Sequence, residues 1–294
     1  MMDCGAPFLI APPQVAAAAA EACAVRDPVS YLEEMVLSGR IETLPLFLTE
    51  HWLRFRTEVC QIFEENDYAA IRGFPSDQDG AALLLAALTI GESLRIYRDG
   101  KVSKHFKMSP WTTELSHTIR AGEFHTDLNT EPYPPAITAI QCLDPDPGSP
   151  QYGIIRVARL THLLNFVSLD NDKSTQRFLK EDTVTMLNDR SLLSRTGPIV
   201  EADVIRYHPE TIRAAGRRSG ESLRDLEQRI AGVERAAMSV SNPFALQRGD
   251  ILLISNHRTL HCRGECSVIF RDYPMDFCSR RVSVLHATRE RQGQ

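Results

Sequence analysis

The sequence predicts one mainly β domain flanked by helices, an α+β arrangement. Amphipathic helical patterns crowd the first third, and from about residue 115 the texture changes to short apolar runs between Pro- and Gly-rich turns. No internal repeat or linker divides the chain, and 294 residues suffice for a sizeable core, so a single domain over 1–294 is expected.

Residues 1–26 read as a loose Ala- and Pro-rich lead-in, and 27–114 as a helical N-terminal part. Asp27-Pro28 opens a helix with Leu32, Met35, Val36 and Leu37 at roughly helical spacing. A second amphipathic stretch runs from about Thr49 to Glu65, Tyr68 to Phe74 reads as a strand, and Ala81 to Leu94 as a helix. The β-core is expected over 115–288, with strands at 115–125, 136–143, 153–157, 199–207, 250–255, 266–270 and 279–287. A mostly helical insertion at about 160–240 interrupts it, with helices at 173–188 and 221–238. Arg213 to Glu221, rich in Arg, Gly and Ser, reads as an exposed loop.

Composition excludes several classes. The chain is 43% hydrophobic and 24% charged with net charge −5, which is ordinary for a globular protein and unlike a basic nucleic-acid binder. No stretch nears 18 apolar residues, so no membrane span is expected. Seven cysteines, irregularly spaced and without a CxxC pair, argue against a disulfide framework and for a reducing cytoplasm. No Lys or Arg precedes Arg26, so a secretory leader is not expected.

The string Glu123-Phe-His-Thr-Asp127 carries the chemistry. On an extended chain His125 and Asp127 share a face, and an imidazole and a carboxylate there can grip one metal. A third ligand would complete a 2-His-1-carboxylate triad that leaves positions open on iron(II) for a cosubstrate and O₂. Alone, the pair is a weak signal, because a strand-end His beside a solvated Asp is the plainer reading. Farther on, Gln247-Arg-Gly-Asp250 makes a turn, an apolar strand follows, and a polar loop ends in His261. Ser279-Arg-Arg-Val-Ser-Val-Leu285 is then a strand with two arginines, suited to bidentate capture of a carboxylate.

This ordered set resembles the iron(II)/2-oxoglutarate dioxygenases of the taurine dioxygenase (TauD/TfdA) and clavaminate synthase-like superfamily. The spacing of His125 and His261 (261 − 125 = 136) falls in the range of such proteins. Tyr133-Pro-Pro135 and Val204-Ile-Arg-Tyr-His-Pro-Glu210 are similar to segments common in those relatives, and the likeness covers roughly residues 68–288. The resemblance implies a double-stranded β-helix (jelly-roll) core. It makes His125, Asp127 and His261 the ligands of Fe(II), with 2-oxoglutarate and O₂ as cosubstrates. It puts the far carboxylate of 2-oxoglutarate on Arg281 or Arg280, with Arg281 preferred because an apolar residue, Val282, follows it directly. Two departures touch the cosubstrate pocket: Gln151 to Arg156 lacks the expected Thr, and Leu285 stands where many relatives carry a second arginine.

Leu128 and Asn129, just past the metal string, and Arg258, just before His261, are the candidate substrate contacts. His257 lines either the pocket or a solvated loop, and His117 reads as a packed or surface side chain. Cys262 and Cys266 flank His261 but lack zinc spacing. The expected activity is oxidation of an unactivated C–H bond of a small molecule by hydroxylation, desaturation or cyclisation. An amino acid derivative or an intermediate of specialised metabolism is the expected substrate. Asp127 disfavours halogenation, for which relatives carry Ala or Gly. The rivals are an iron oxygenase that does not use 2-oxoglutarate and a non-catalytic jelly-roll binding protein.

Overall fold

The computed structural model describes residues 8–75, 80–91, 93–97 and 99–289. The chain order begins β1 (Phe8–Ile10), α1 (Pro13–Ala22), α2 (Pro28–Leu37), 3₁₀ turns at Ile41–Thr43 and Pro45–Leu48, and α3 (Glu50–Asn66). It continues β2 (Tyr68–Arg72), α4 (Ala81–Ala87), β3 (Ser93–Leu94), β4 (Ser103–Lys107), β5 (Ile137–Asp144) and β6 (Ile155–Arg159). The insertion supplies α5 (Leu160–Leu169), α6 (Lys173–Lys180), β7 (Val184–Leu187), β8 (Ser194–Gly197), β9 (Val200–Glu201), β10 (Val204–Ile205), α7 (Pro209–Ser219) and α8 (Leu223–Val240). The chain closes with β11 (Asn242–Phe244), β12 (Ile251–Ser255), β13 (Thr259–Arg263), β14 (Val268–Asp272), β15 (Asp276–Ser279) and β16 (Arg281–Thr288). The fold is thus mixed α/β, with eight α-helices among the described residues.

Two sheets stack. The larger has the order β1-β2-β12-β5-β16-β3, with β4 also on β16, and the smaller the order β11-β6-β13. Strand alternation decides what each face buries. In β12, Ile251 and Leu253 pack against α1–α4, whereas Leu252 and Ile254 face Ile155, Val157 and Phe244 of the smaller sheet. The outer face of the smaller sheet, with Ala158, Leu260 and Cys262, is covered by α5, α6 and α8. The layers therefore run helices, sheet, sheet, helices. Strands buried on both faces must be apolar throughout, which is why Ile251–Ser255 reads as a continuous hydrophobic run.

The helices form for local reasons. The α3 N-cap Thr49 accepts from the Trp52 N–H, and Trp52, Phe55, Val59 and Phe63 form one buried stripe. Asp27 caps α2, and Pro28 sits in its first turn.

Several expectations change. The lead-in is not loose where it is described: β1 pairs parallel with β2 and α1 packs into the core, while residues 1–7 lie outside the described residues. Residues 115–125 form no strand; they run as turns with isolated bridges only. The helix expected over 173–188 stops at Lys180, and 184–187 is strand β7. Arg213 to Glu221 is not a loop, because 213–219 is the second half of α7. Its charge misled: Arg213 is neutralised by Glu123, Glu210 and Glu227 and is mostly buried.

The turn before β12 is held by one carboxylate. Asp250 is almost fully buried, takes Arg72 through both oxygens at 2.9–3.1 Å, and accepts the Gln247 N–H at 3.0 Å. Arg72 also lies 4.0 Å over the Phe8 ring, so the pair links β1, β2 and β12. Asp250→Ala should lower the unfolding free energy by about 2 kcal/mol, since hydrogen bonds to charged groups contribute roughly 1.5–3 kcal/mol and half-exposed Arg72 regains water. Urea denaturation checks this, and an unchanged midpoint would contradict the assignment.

Candidate metal centre

The ligand-bearing segment lies beside β13. The His125 N–H donates to the His261 carbonyl at 2.9 Å, and the His261 N–H donates to the His125 carbonyl at 3.0 Å. A mutually bonded pair puts the two side chains next to each other on one face, with ring centroids 4.5 Å apart. Thr126, between them in sequence parity, points the other way into the insertion, where its hydroxyl accepts from the Tyr207 N–H at 3.1 Å. Asp127 then returns to the imidazole face, as alternation demands. Its backbone is clamped by Asn256, whose Oδ1 accepts the Asp127 N–H at 2.7 Å and whose Nδ2 donates to the Asp127 carbonyl at 3.0 Å.

The three groups converge. One ligand atom each of His125, Asp127 and His261 lies within 4.8 Å of the others, and among the described residues this is the one such group. His125 Nε2 is 3.7 Å from Asp127 Oδ1, and His261 Nε2 is 3.5 Å from Oδ2. His125 Nδ1 donates to the Glu123 carbonyl at 2.8 Å, which leaves the lone pair on Nε2, the atom facing the centre. Burial, with His261 adding to it, holds His125 down to about 4, so its imidazole is neutral near pH 7. Burial pushes Asp127 upward, but His261 and His286 more than offset it and keep the carboxyl well below the usual range. Two imidazole nitrogens beside one carboxylate form the N,N,O set that suits iron(II).

The cysteines stay outside. Cys262 packs on the far face of β13, and burial pushes its thiol up to about 12. His117 meets the Phe106 ring at a tilt, with centroids 5.2 Å apart, and His257 Nε2 reaches the Pro134 carbonyl at 3.2 Å.

The two arginines separate sharply. Val282 and Val284 of β16 face the smaller sheet, while Leu285 and Ala287 face the helices. Arg280 shares the inner parity and is 3% exposed, and among the described residues no ion pair engages its guanidinium. Arg281 has the opposite parity; it pairs with Asp144 and its side chain is 34% exposed. Arg281, the preferred residue, is engaged elsewhere: a β5 irregularity near Leu143 brings Asp144 opposite it, and the two pair, while Arg280 is the one turned between the sheets.

The substrate candidates also divide. Leu128 takes a positive φ of 53° in the turn that follows the metal string. Asn129 is buried and donates to Thr211 Oγ1 at 2.9 Å, tying that turn to α7 rather than facing open space. Arg258 pairs with buried Asp67 at 2.9 Å beside Arg159, so the structure does not bring it to the triad.

Residues that the sequence reading passed over complete the surroundings. His208, at the start of α7, lies with its ring 5.0 Å from that of His125, and burial, aided by His125, holds it down to about 3. The Thr138 hydroxyl donates to Asp127 Oδ2 at 2.7 Å, and His286 Nε2 lies 3.1 Å from the same oxygen. A signal for His286 existed, since inner parity on β16 selects 280, 282, 284 and 286 together.

A fold of this layering, with a His-Asp-His group on the smaller sheet's edge, defines a non-haem iron(II)/2-oxoglutarate-dependent dioxygenase. The chain belongs to the taurine catabolism dioxygenase TauD, TfdA family, whose model matches residues 47–268. No curated protein matches by sequence. Among solved structures, asparagine oxygenase in complex with Fe(II), 2S,3S-3-hydroxyasparagine and succinate has 15% identity, covers 96% of this chain and 93% of that one, and gives a TM-score of 0.69. The non-heme iron oxygenase OrfP with Fe and alpha-ketoglutaric acid has 17% identity, covers 96% of this chain and 94% of that one, and gives a TM-score of 0.65. OrfP with Fe, succinate and (3S)-hydroxy-L-Arg has 16% identity, the same coverage and a TM-score of 0.65.

Glu234 supports the ligand segment from behind. Its Oε2 accepts the Phe124 N–H at 3.2 Å, while its Oε1 is buried without a partner among the described residues. Burial, with the Glu123 charge adding to it, pushes Glu234 up to about 7. A folded value above the unfolded one means that the protonated carboxyl's stabilisation is complete below about 4.5 and is lost as pH rises through about 7. The stability of the parent relative to Glu234→Gln should therefore fall between about pH 5 and about pH 8. Comparing the histidine-bearing parent and variant cancels the opposite shifts of His125 and His208. Urea midpoints that stay parallel across that range would contradict it.

Proposed function

We propose that this chain is an iron(II)/2-oxoglutarate oxygenase that oxidises an unactivated C–H bond of a small amino-acid-like molecule. Iron would be held by His125, Asp127 and His261, and the far carboxylate of 2-oxoglutarate by Arg280. The observation that carries this reading is the buried guanidinium of Arg280, which has no ion-pair partner among the described residues. Burial lowers its pKa and makes its charge costly. A dianionic ligand inserted between the sheets relieves that cost, and 2-oxoglutarate is such a ligand.

The strand orders support a double-stranded β-helix. In the large sheet β4-β16-β5-β12 are antiparallel neighbours; facing them, the His125 segment, β13, β6 and β11 form a second antiparallel set. The chain is read as one domain over 1–294, because the insertion reaches the metal loop through Tyr207, His208 and Thr211. No described helix is long and apolar enough to cross a membrane.

Bound iron with 2-oxoglutarate would supply O₂ activation, with succinate and CO₂ as coproducts. The chain's own residues orient and enclose. Asn256 fixes the Asp127 backbone, the Glu123 carbonyl fixes the His125 tautomer, and α7 closes over His125 through His208. For the substrate, the nearby ion pair Arg95–Glu131 at 2.8 Å is a quarter exposed. Arg95 is joined to the His286 carbonyl through its N–H, and Glu131 follows the metal string. A guanidinium beside a carboxylate matches the carboxylate and ammonium of an amino acid. The amino acids bound by asparagine oxygenase and OrfP favour the same class.

With iron and ascorbate present, Arg280→Gln should raise the 2-oxoglutarate KM by about 100-fold, because losing one partner of a buried charge pair costs roughly 2–5 kcal/mol. Arg281→Gln should change it less than about threefold, as expected for a partly exposed pair. Succinate release measures both. Equal effects, or parent protein that makes no succinate with any amino acid, would overturn the reading.

A further inference from the structure

Asp127 has an uneven environment that the triad itself does not explain. The Thr138 hydroxyl donates to Oδ2 at 2.7 Å, and His286 Nε2 lies 3.1 Å from that same oxygen. Each oxygen also faces one triad imidazole, Oδ1 the His125 Nε2 at 3.7 Å and Oδ2 the His261 Nε2 at 3.5 Å, but the outside contacts from Thr138 and His286 fall on Oδ2. His286 is 7% exposed, and its Nε2 has no straight hydrogen bond to any described group. On its other side, His286 Nδ1 is hydrogen-bonded to the Tyr97 hydroxyl, and the two rings meet edge to face.

The tautomer follows from these contacts. If Nδ1 carried the proton, the Nε2 lone pair would face an ionised carboxylate oxygen at 3.1 Å, which is repulsive. Burial and the Asp127 charge keep the Tyr97 phenol protonated, so its hydroxyl is available to donate to Nδ1. The proton of His286 then sits on Nε2, toward Asp127.

We propose that His286, set by Tyr97 and assisted by Thr138, is the positioning residue of the carboxylate ligand. The Thr138 hydroxyl bonds Oδ2 and the His286 Nε2–H lies against that same oxygen, which favours Oδ1 as the oxygen offered to the metal. A carboxylate that gives one oxygen keeps a coordination position free that a chelating carboxylate would take. Two such positions are needed for a chelating cosubstrate and one for O₂, so the count matters. The inference rests on the proposed triad, and the test separates the two.

The experiment is anaerobic iron(II) titration against a competing chelator, with the metal-free fold followed by circular dichroism and thermal unfolding. Visible charge-transfer absorption on adding 2-oxoglutarate is the second readout. His286→Phe keeps the ring and removes the donor; its iron affinity should fall by about 10- to 100-fold, the effect typical of losing a partner behind a ligand. His286→Gln, which restores an N–H donor, should recover most of the affinity and of the absorption. Tyr97→Phe should fall between the two. A folded His286→Phe protein that binds iron as tightly as the parent overturns the proposal. If His286→Phe fails to fold, parent-like affinity in Tyr97→Phe together with no difference between parent and Thr138→Val overturns it instead. A parent that binds no iron sinks the triad reading itself.

Discussion

Two backbone hydrogen bonds between His125 and His261 anchor the whole site. They splice an otherwise irregular segment onto the edge of the smaller sheet, so residues far apart in sequence become cross-strand neighbours. Everything else about the centre depends on that register. A slip of one residue would send His125 toward Tyr207 and bring hydrophilic Thr126 to the imidazole face. The supports converge on this bridge: Asn256 clamps Asp127, Glu234 holds the Phe124 N–H, and Thr126 is bonded to Tyr207. The segment is held by side chains where strand pairing is absent.

Charge is distributed with the same economy. Arg213, Arg72 and Arg281 each meet carboxylates, so their burial or partial burial is compensated. Arg280 differs: it is buried between the sheets, and among the described residues no carboxylate forms an ion pair with it, the arrangement on which its proposed role as an anion ligand rests. The position four residues beyond it is Val284, which packs with the inter-sheet core, so no second strand arginine assists it.

Much of this was legible in the sequence. That His125 and Asp127 share a face follows from parity alone, whereas His261 joined them only through the ordered motifs of the resemblance; the three groups do converge in the structure. Arg280 against Arg281 was not legible: parity separates the two but does not say which face is inner until a sheet partner is known. The irregular register near Leu143 that delivers Asp144 to Arg281 leaves no mark in the sequence. The charged half of α7 looked like a loop for a related reason, since the carboxylates that neutralise Arg213 come from Glu123 and Glu227, distant in the chain. Parity put His286 on the inner face, but its place beside Asp127 and the contact of Tyr97 with it are tertiary facts that the spacing does not carry.

The central claim is that the bridge between His125 and His261 presents one iron(II) site. Metal content after anaerobic loading and desalting tests it most directly. The account predicts one iron per chain in the parent and loss of that iron in His261→Ala with the fold retained. Iron retained at parent stoichiometry in a folded His261→Ala protein would contradict it.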